Sequence, residues 1–272
     1  MNASLPMESD IERPGCILHY WLTGPEDRPL VALLHGATMD HHMFDAQLSA
    51  LAAHYRVLAW DARGHGCSRP TAGDFTLADC ADDLIAILDQ LGVQKVILVG
   101  QSMGGYIAQF VYLRHPQRVQ AMVIVGATCI ALPYSRWEIL ALRWTLPLFR
   151  WWPYDHLARL TARSIALKPD VQAYALATLR QLEPREFLRI WKAITPAISR
   201  KGIPGHVIGV PLLLTHGDQD RTGSIQRQAP TWAAYEPDVD YKVIPNASHN
   251  ANQDQPTFFN EILLSFLGRH TH

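Results

Sequence analysis

Along the chain, short continuous apolar runs alternate with stretches whose apolar residues recur at helical spacing, and glycine, proline or charge marks most of the junctions. Residues 16–22 and 30–34 read as early strands, separated by a turn at Gly24-Pro25 and by the charged segment 26–28. Residues 44–53 have helical spacing, and 55–60 form another strand. Segment 76–91 reads as an amphipathic helix. Leu77, Leu84, Ile85, Leu88 and Leu91 share one face, Asp79, Asp82, Asp83 and Asp89 stand mostly off it, and Gly92 suits the position just past its end. Residues 96–99 are apolar without alternation, as a strand buried on both faces of a parallel sheet requires. A helix then runs to Arg114, Pro116 stops it, and 119–125 is the next buried strand. Strand–helix alternation of this kind predicts an α/β fold, a parallel sheet wound with right-handed crossovers.

The pattern breaks at Thr128. From there to about Gly205, helical spacings are interrupted by Pro133, Pro147, Pro153, Pro169, Pro184 and Pro196, and the segment carries many arginines together with Trp137, Trp144, Trp151, Trp152 and Trp191. This predicts a helical cap, residues 128–205, inserted into a core domain made of residues 1–127 and 206–272, where it covers the sheet edge and excludes water. Its aromatics are expected mainly in the cap's own core. Strand character resumes at 210–215 and 241–244, and a last helix opens at Pro256 and ends near Leu267. No internal repeat or low-complexity segment is visible.

A chain of 272 residues is long for one average domain but suits an α/β sheet with an insertion. Lys and Arg number 24 against 25 Asp and Glu, a balance that gives no sign of nucleic acid or an anionic membrane as partner and favours a small molecule. Residues 1–15 lack the basic and apolar regions of a secretory signal, and the longest apolar run, 121–133, is too short to span a bilayer, so a soluble cytoplasmic protein is expected. Cys16, Cys67, Cys80 and Cys129 lack Cys-x-x-Cys spacing, which predicts buried thiols rather than a metal site or disulfides. Adjacent His41 and His42 have no ligand set around them and are expected at the surface.

The chemistry gathers at Gly100-Gln101-Ser102-Met103-Gly104, which fits G-x-S-x-G at a strand-to-helix turn. Glycines two residues either side of Ser102 let strand and helix pack closely while the serine takes a strained conformation that lifts Oγ above the sheet. A phosphate-binding loop is the alternative, but no Lys-Ser/Thr follows and the spacing is not G-x-G-x-x-G. His35-Gly36-Ala37-Thr38 follows an early strand, where the N–H of Ala37, paired with that of Met103, is placed to meet a developing oxyanion. The run 61–68, Asp-Ala-Arg-Gly-His-Gly-Cys-Ser, reads as a structural turn in which Asp61 and Arg63 pair locally. Among 13 histidines, His249 is singled out by its place between the last strand and the last helix, ahead of His35, His65 and His216. Of the acids after the 210–215 strand, Asp220 is preferred to Asp218, because the loop needs length to turn back toward the histidine.

HGAT, DARGHGCS, GQSMGGYIA, HPQRV, HGDQD and NASHN, in that order and over nearly the whole chain outside the insertion, resemble the α/β-hydrolase fold family. The likeness is to its small bacterial lidded serine hydrolases, a group that includes carboxylesterases and enol-lactonases and resembles cofactor-free haloperoxidases. It implies a mostly parallel eight-stranded sheet with helices on both faces and an inserted helical cap. It also implies Ser102 as nucleophile, Asp220 as acid, His249 as base, and the amides of Ala37 and Met103 as oxyanion hole, with neither cofactor nor metal. Relatives with aspartate at the elbow make alkyl-enzyme intermediates, so the serine here implies acyl chemistry. The expected activity is hydrolysis of a small to medium ester or lactone with an apolar or aromatic part. Carbon–carbon bond hydrolysis or a perhydrolase reaction with the same residues is the alternative, and a non-catalytic small-molecule receptor is a third.

Overall fold

The computed structural model describes residues 6–198 and 201–270. Residues 1–5, part of the stretch read above for a signal, and 199–200 and 271–272, at the edges of the expected domains, lie outside the described residues. Among the described residues there are eight strands: β1 (Met7–Arg13), β2 (Cys16–Thr23), β3 (Leu30–Leu34), β4 (Arg56–Trp60), β5 (Val96–Gln101), β6 (Val119–Val125), β7 (Leu212–Gly217) and β8 (Val239–Ile244). They form one sheet in the order β1-β2-β4-β3-β5-β6-β7-β8. β1 pairs antiparallel with β2 and β2 with β4; every other pairing is parallel. The α/β reading and the mostly parallel eight-stranded sheet are therefore borne out.

Between the strands lie α1 (Asp45–Leu51), α2 (Leu77–Gln90) and α3 (Met103–Arg114). Between β6 and β7 come α4 (Arg136–Trp151), α5 (Tyr154–Ile165), α6 (Pro169–Gln181) and α7 (Pro184–Ile194), all inside the expected insertion. The chain closes with α8 (Ile225–Tyr235), α9 (Ala251–Asp254) and α10 (Pro256–His270). Side chains alternate across the central strands, so an unbroken apolar run feeds two cores. Leu30, Ala32, Leu34, Val96 and Leu98 pack with Leu84 of α2 and Ile107 and Val111 of α3. Val31, Leu33, Ile97 and Val99 face the other way, toward Leu51 of α1 and Phe259, Leu263 and Phe266 of α10. Among the described residues, no helix is long and apolar enough to cross a membrane.

Several local expectations change. Strand β1 carries only Met7 and Ile11 as apolar residues, at a sheet edge with no position fully buried, so it leaves no apolar run to read. Asp83 is fully buried rather than turned off the helix face, and its carboxylate takes both Arg63, at 2.6 Å, and Arg13, at 3.1 Å. Arg63 is thus not paired with Asp61. The Asp61 carboxylate instead accepts the backbone N–H groups of His41, at 2.8 Å, and Cys67, at 2.7 Å, with His41 Nδ1 at 3.0 Å, which half-buries a histidine expected at the surface. Cys67 is exposed, whereas the other three thiols are buried as expected.

Candidate active site

Parallel pairing aligns the carboxyl ends of the strands: Leu34 lies opposite Gly100, Gln101 opposite Val125, and Gly217 opposite Ile244. The loops that leave these ends therefore emerge side by side at one edge, where open α/β sheets hold their ligands. Ser102 sits between β5 and α3 with φ 49° and ψ −111°, a conformation costly for a residue with a Cβ. Its N–H donates to the Val125 carbonyl at 2.8 Å. Two glycines make the turn possible, since a Cβ on Gly100 would run into the carbonyl of Gly104, and one on Gly104 into the carbonyl of Leu34.

Ser102 Oγ lies 2.9 Å from His249 Nε2, and His249 Nδ1 lies 2.9 Å from Asp220 Oδ2. The structure thus brings the three side chains into one hydrogen-bonded series, with Asp220 and His249 both buried. The other Asp220 oxygen accepts the Thr222 N–H at 2.8 Å. Burial pushes the Asp220 carboxyl up, but the charge and hydrogen bond of His249 and the Thr222 N–H outweigh it, so its pKa is lowered and it stays ionised. Asp218 is exposed and accepts the Ala247 N–H at 3.1 Å, so it braces the loop instead of meeting the histidine. Ala37 lines the same cavity as Ser102, and Met103 opens α3, where first-turn N–H groups lack helical acceptors. A Cβ on Gly36 would stand 3.6 Å from the Ser102 Cβ, which shows how closely the Ala37 loop passes the serine.

The lower-ranked histidines are held in the frame. His35 Nδ1 is 2.8 Å from the Gly36 carbonyl and its Nε2 accepts the Ala62 N–H at 3.0 Å, a neutral ring whose pKa burial lowers. Burial pushes His65 down to about 3, and His216 is fixed between the Gly217 carbonyl and the Tyr241 hydroxyl, both at 2.8 Å. Among the described residues, no group of three or more His, Cys, Asp or Glu is arranged to hold a metal.

Three residues at the site were not anticipated. Gln101 Nε2 donates to the His249 carbonyl at 3.0 Å, fixing the histidine's backbone from beneath. Gly126 follows β6 with φ 59°, and a Cβ there would lie 3.2 Å from His249 Nδ1 and 3.3 Å from Asp220 Oδ2. Asp254 is fully buried and accepts the N–H groups of Ser248 at 2.8 Å, Leu167 at 3.0 Å and Lys168 at 3.1 Å. With the Asn250 N–H on the Ile165 carbonyl at 2.7 Å, it ties the histidine loop to the end of α5. Only the position of Gly126, directly after a buried strand, carried a sequence signal.

Above Ser102 opens a cavity of about 860 Å³. Leu142 and Phe149 of α4, Phe187, Trp191 and Ile194 of α7, and Ile165 of α5 supply apolar walls. At another side, Tyr106, Thr128 and Tyr134 form a row of buried hydroxyls: Tyr106 is 2.7 Å from Thr128, and Thr128 also contacts Tyr134. Glu138 on α4 meets Arg227 and, at 3.2 Å, Gln228, both on α8. Burial raises the Glu138 pKa, but the hydroxyl and N–H of Ser135, Ser224 and the Arg227 charge outweigh it and bring it down to about 2.

Sheet order, strained serine turn and converging loops define the class: the chain has the α/β-hydrolase fold and is similar to hydrolases built on it. The family model for the alpha/beta hydrolase fold matches residues 29–155. Among individual proteins, 3-oxoadipate enol-lactonase 1 of Acinetobacter baylyi is 27% identical over 94% of each chain. Carboxylesterase YbfK of Bacillus subtilis is 26% identical over 92% of this chain and 83% of its own. The crystal structure of a hydrolase from Pseudomonas aeruginosa superposes with a TM-score of 0.84, at 27% identity, over 96% of this chain and 98% of that one.

Proposed function

We propose that the protein is a serine hydrolase that cleaves a carboxylic ester or lactone through an acyl-enzyme, with residues 128–205 acting as the cap. The observation that carries this reading is the Ser102–His249–Asp220 series opening onto the cavity. In the first half-reaction His249 Nε2 takes the Ser102 proton as Oγ attacks the acyl carbon. Asp220, held ionised, keeps the Nδ1–H tautomer in line and stabilises the imidazolium. The N–H groups of Ala37 and Met103 receive the tetrahedral oxyanion, and His249 then protonates the departing alkoxide. Water, activated by the same imidazole, releases the acid and restores Ser102. Similarity to an enol-lactonase and to a carboxylesterase supports this reading, because both bonds are broken at an acyl carbon by the same steps.

The cavity's composition supports a substrate with an apolar or aromatic part against Phe149, Phe187 and Trp191. The hydroxyl row adds a polar feature. Three hydroxyls carry three protons and make two hydrogen bonds among themselves, which leaves one O–H to donate to a substrate oxygen. Burial raises the pKa of both tyrosines, so they remain neutral donors across the working range. The test is a panel of p-nitrophenyl acyl esters and small lactones followed through the first turnover. A burst of nitrophenol followed by slower steady release is expected, strongest for apolar acyl groups. Absence of both burst and turnover across the panel overturns the reading.

A further inference from the structure

Helix α4 presents three distinct faces. Glu138, Ala141, Leu142, Thr145 and Phe149 line the cavity. On the outside, Trp137, Trp144 and Trp151 recur every seven residues and are 71%, 67% and 84% exposed, with Leu140 and Leu148 exposed between them. Arg136, Arg143 and Arg150 stand immediately before the three tryptophans and are exposed as well. A seven-residue recurrence drifts by only about 20° on an α-helix, so each residue type forms a nearly straight row. Neighbouring residues are about 100° apart, which sets the arginine row beside the tryptophan row and away from the cavity. The only acid on the helix, Glu138, is turned to α8, and none of the three arginines makes an ion pair among the described residues.

We propose that this outer face seats the protein on an anionic lipid bilayer, tryptophans at the boundary between headgroups and acyl chains and arginines on the lipid phosphates. Tryptophan's apolar body and polar N–H suit that boundary, and an arginine row along its flank is the charge pattern of a helix lying in the interface plane. Charge favours lipid over a second copy of the chain. A second copy brings three more arginines and no acid to meet them. The chain-wide charge balance, which gave no sign of a membrane partner, averages over this local row, and the seven-residue recurrence is a repeat that the sequence reading missed. Seated this way, α4 puts the roof of the cavity against the bilayer.

The test is sedimentation of the whole protein with vesicles, either pure phosphatidylcholine or equal parts phosphatidylcholine and phosphatidylglycerol. The protein is expected to pellet with the mixed vesicles at low salt and far less with the neutral ones. Replacing Arg136, Arg143 and Arg150 by Gln weakens pelleting on the order of a hundredfold, and Trp137→Ala, Trp144→Ala and Trp151→Ala together abolish it. Circular dichroism and melting confirm that both variants fold, as exposed positions allow. Failure of the wild type to bind the mixed vesicles overturns the proposal, and so does equal binding to both vesicle types or wild-type binding by the tryptophan variant. A lipid-free dimer in ultracentrifugation that the tryptophan variant loses, with no vesicle binding, assigns the face to a second copy and overturns it too.

Discussion

Strands β5 and β7 are buried at every position, whereas α4, 16 residues long and lining the cavity, has no buried residue at all. The floor of the cavity is thus overdetermined by close packing, which lets it hold Ser102 in a backbone conformation that an isolated turn would relax. The roof is uneven. Its α5 end is tied into the histidine loop through Asp254, Ile165 and Asn250, and α6 is tied to the loop after β3 by the Tyr174 hydroxyl donating to the Asp40 carboxylate at 2.7 Å. Its α4 end meets the core domain through Glu138 with Arg227 and Gln228, and meets α7 through the Trp191 Nε1–H on Thr145 at 2.7 Å. Few buried contacts mean low local stability in α4 relative to the strands beneath the site. Close packing marks the floor, and thin packing marks the α4 end of the roof.

Substitutions can break this contrast, beginning with the floor. Ser102→Ala is expected to lower kcat by on the order of 10⁴ to 10⁶ with KM little changed, read by steady-state kinetics. Asp220→Asn is expected to cost on the order of 10⁴, whereas Asp218→Asn stays within about tenfold; equal losses would remove the distinction between the two carboxylates. At the tied end of the roof, Asp254→Ala leaves one buried and two partly buried N–H groups without their acceptor and is expected to cost about 2 kcal/mol, measured as a fall in urea midpoint at constant slope. At the loose end, Glu138→Gln is expected to change stability by no more than about 1 kcal/mol, while altering KM more than kcat. The sign with pH follows from the lowered carboxyl: Glu138 stabilises the fold above its ordinary value of 4.5, and this is lost as pH falls from there through about 2. A difference between wild type and Glu138→Gln that persists below that window would show that charge is not its cause.

The same contrast decides what the sequence disclosed. Strands 30–34 and 119–125 and the helix ending at Arg114 were legible because burial on both faces demands unbroken apolar runs and Pro116 punctuates them. The serine turn was legible because only glycine fits at Gly100 and Gly104, and Asp220 because a carboxylate facing back toward His249 needs loop length. The roof resisted because composition does not reveal how a helix is rotated. Five tryptophans in the insertion read alike, yet Trp191 lines the cavity while Trp137, Trp144 and Trp151 face outward. Gln101 and Asp254 were invisible because their partners are backbone atoms, most of them far away in the chain.

The most direct measurement of the proposed chemistry is peptide mass spectrometry after reaction with a fluorophosphonate, which phosphonylates an activated serine. A single adduct on the peptide containing Ser102 is expected, formed at least a hundredfold more slowly in His249→Ala. An adduct on any other residue, or labelling of Ser102 at the same rate without the imidazole, would contradict the assignment of Ser102 as the nucleophile that His249 activates.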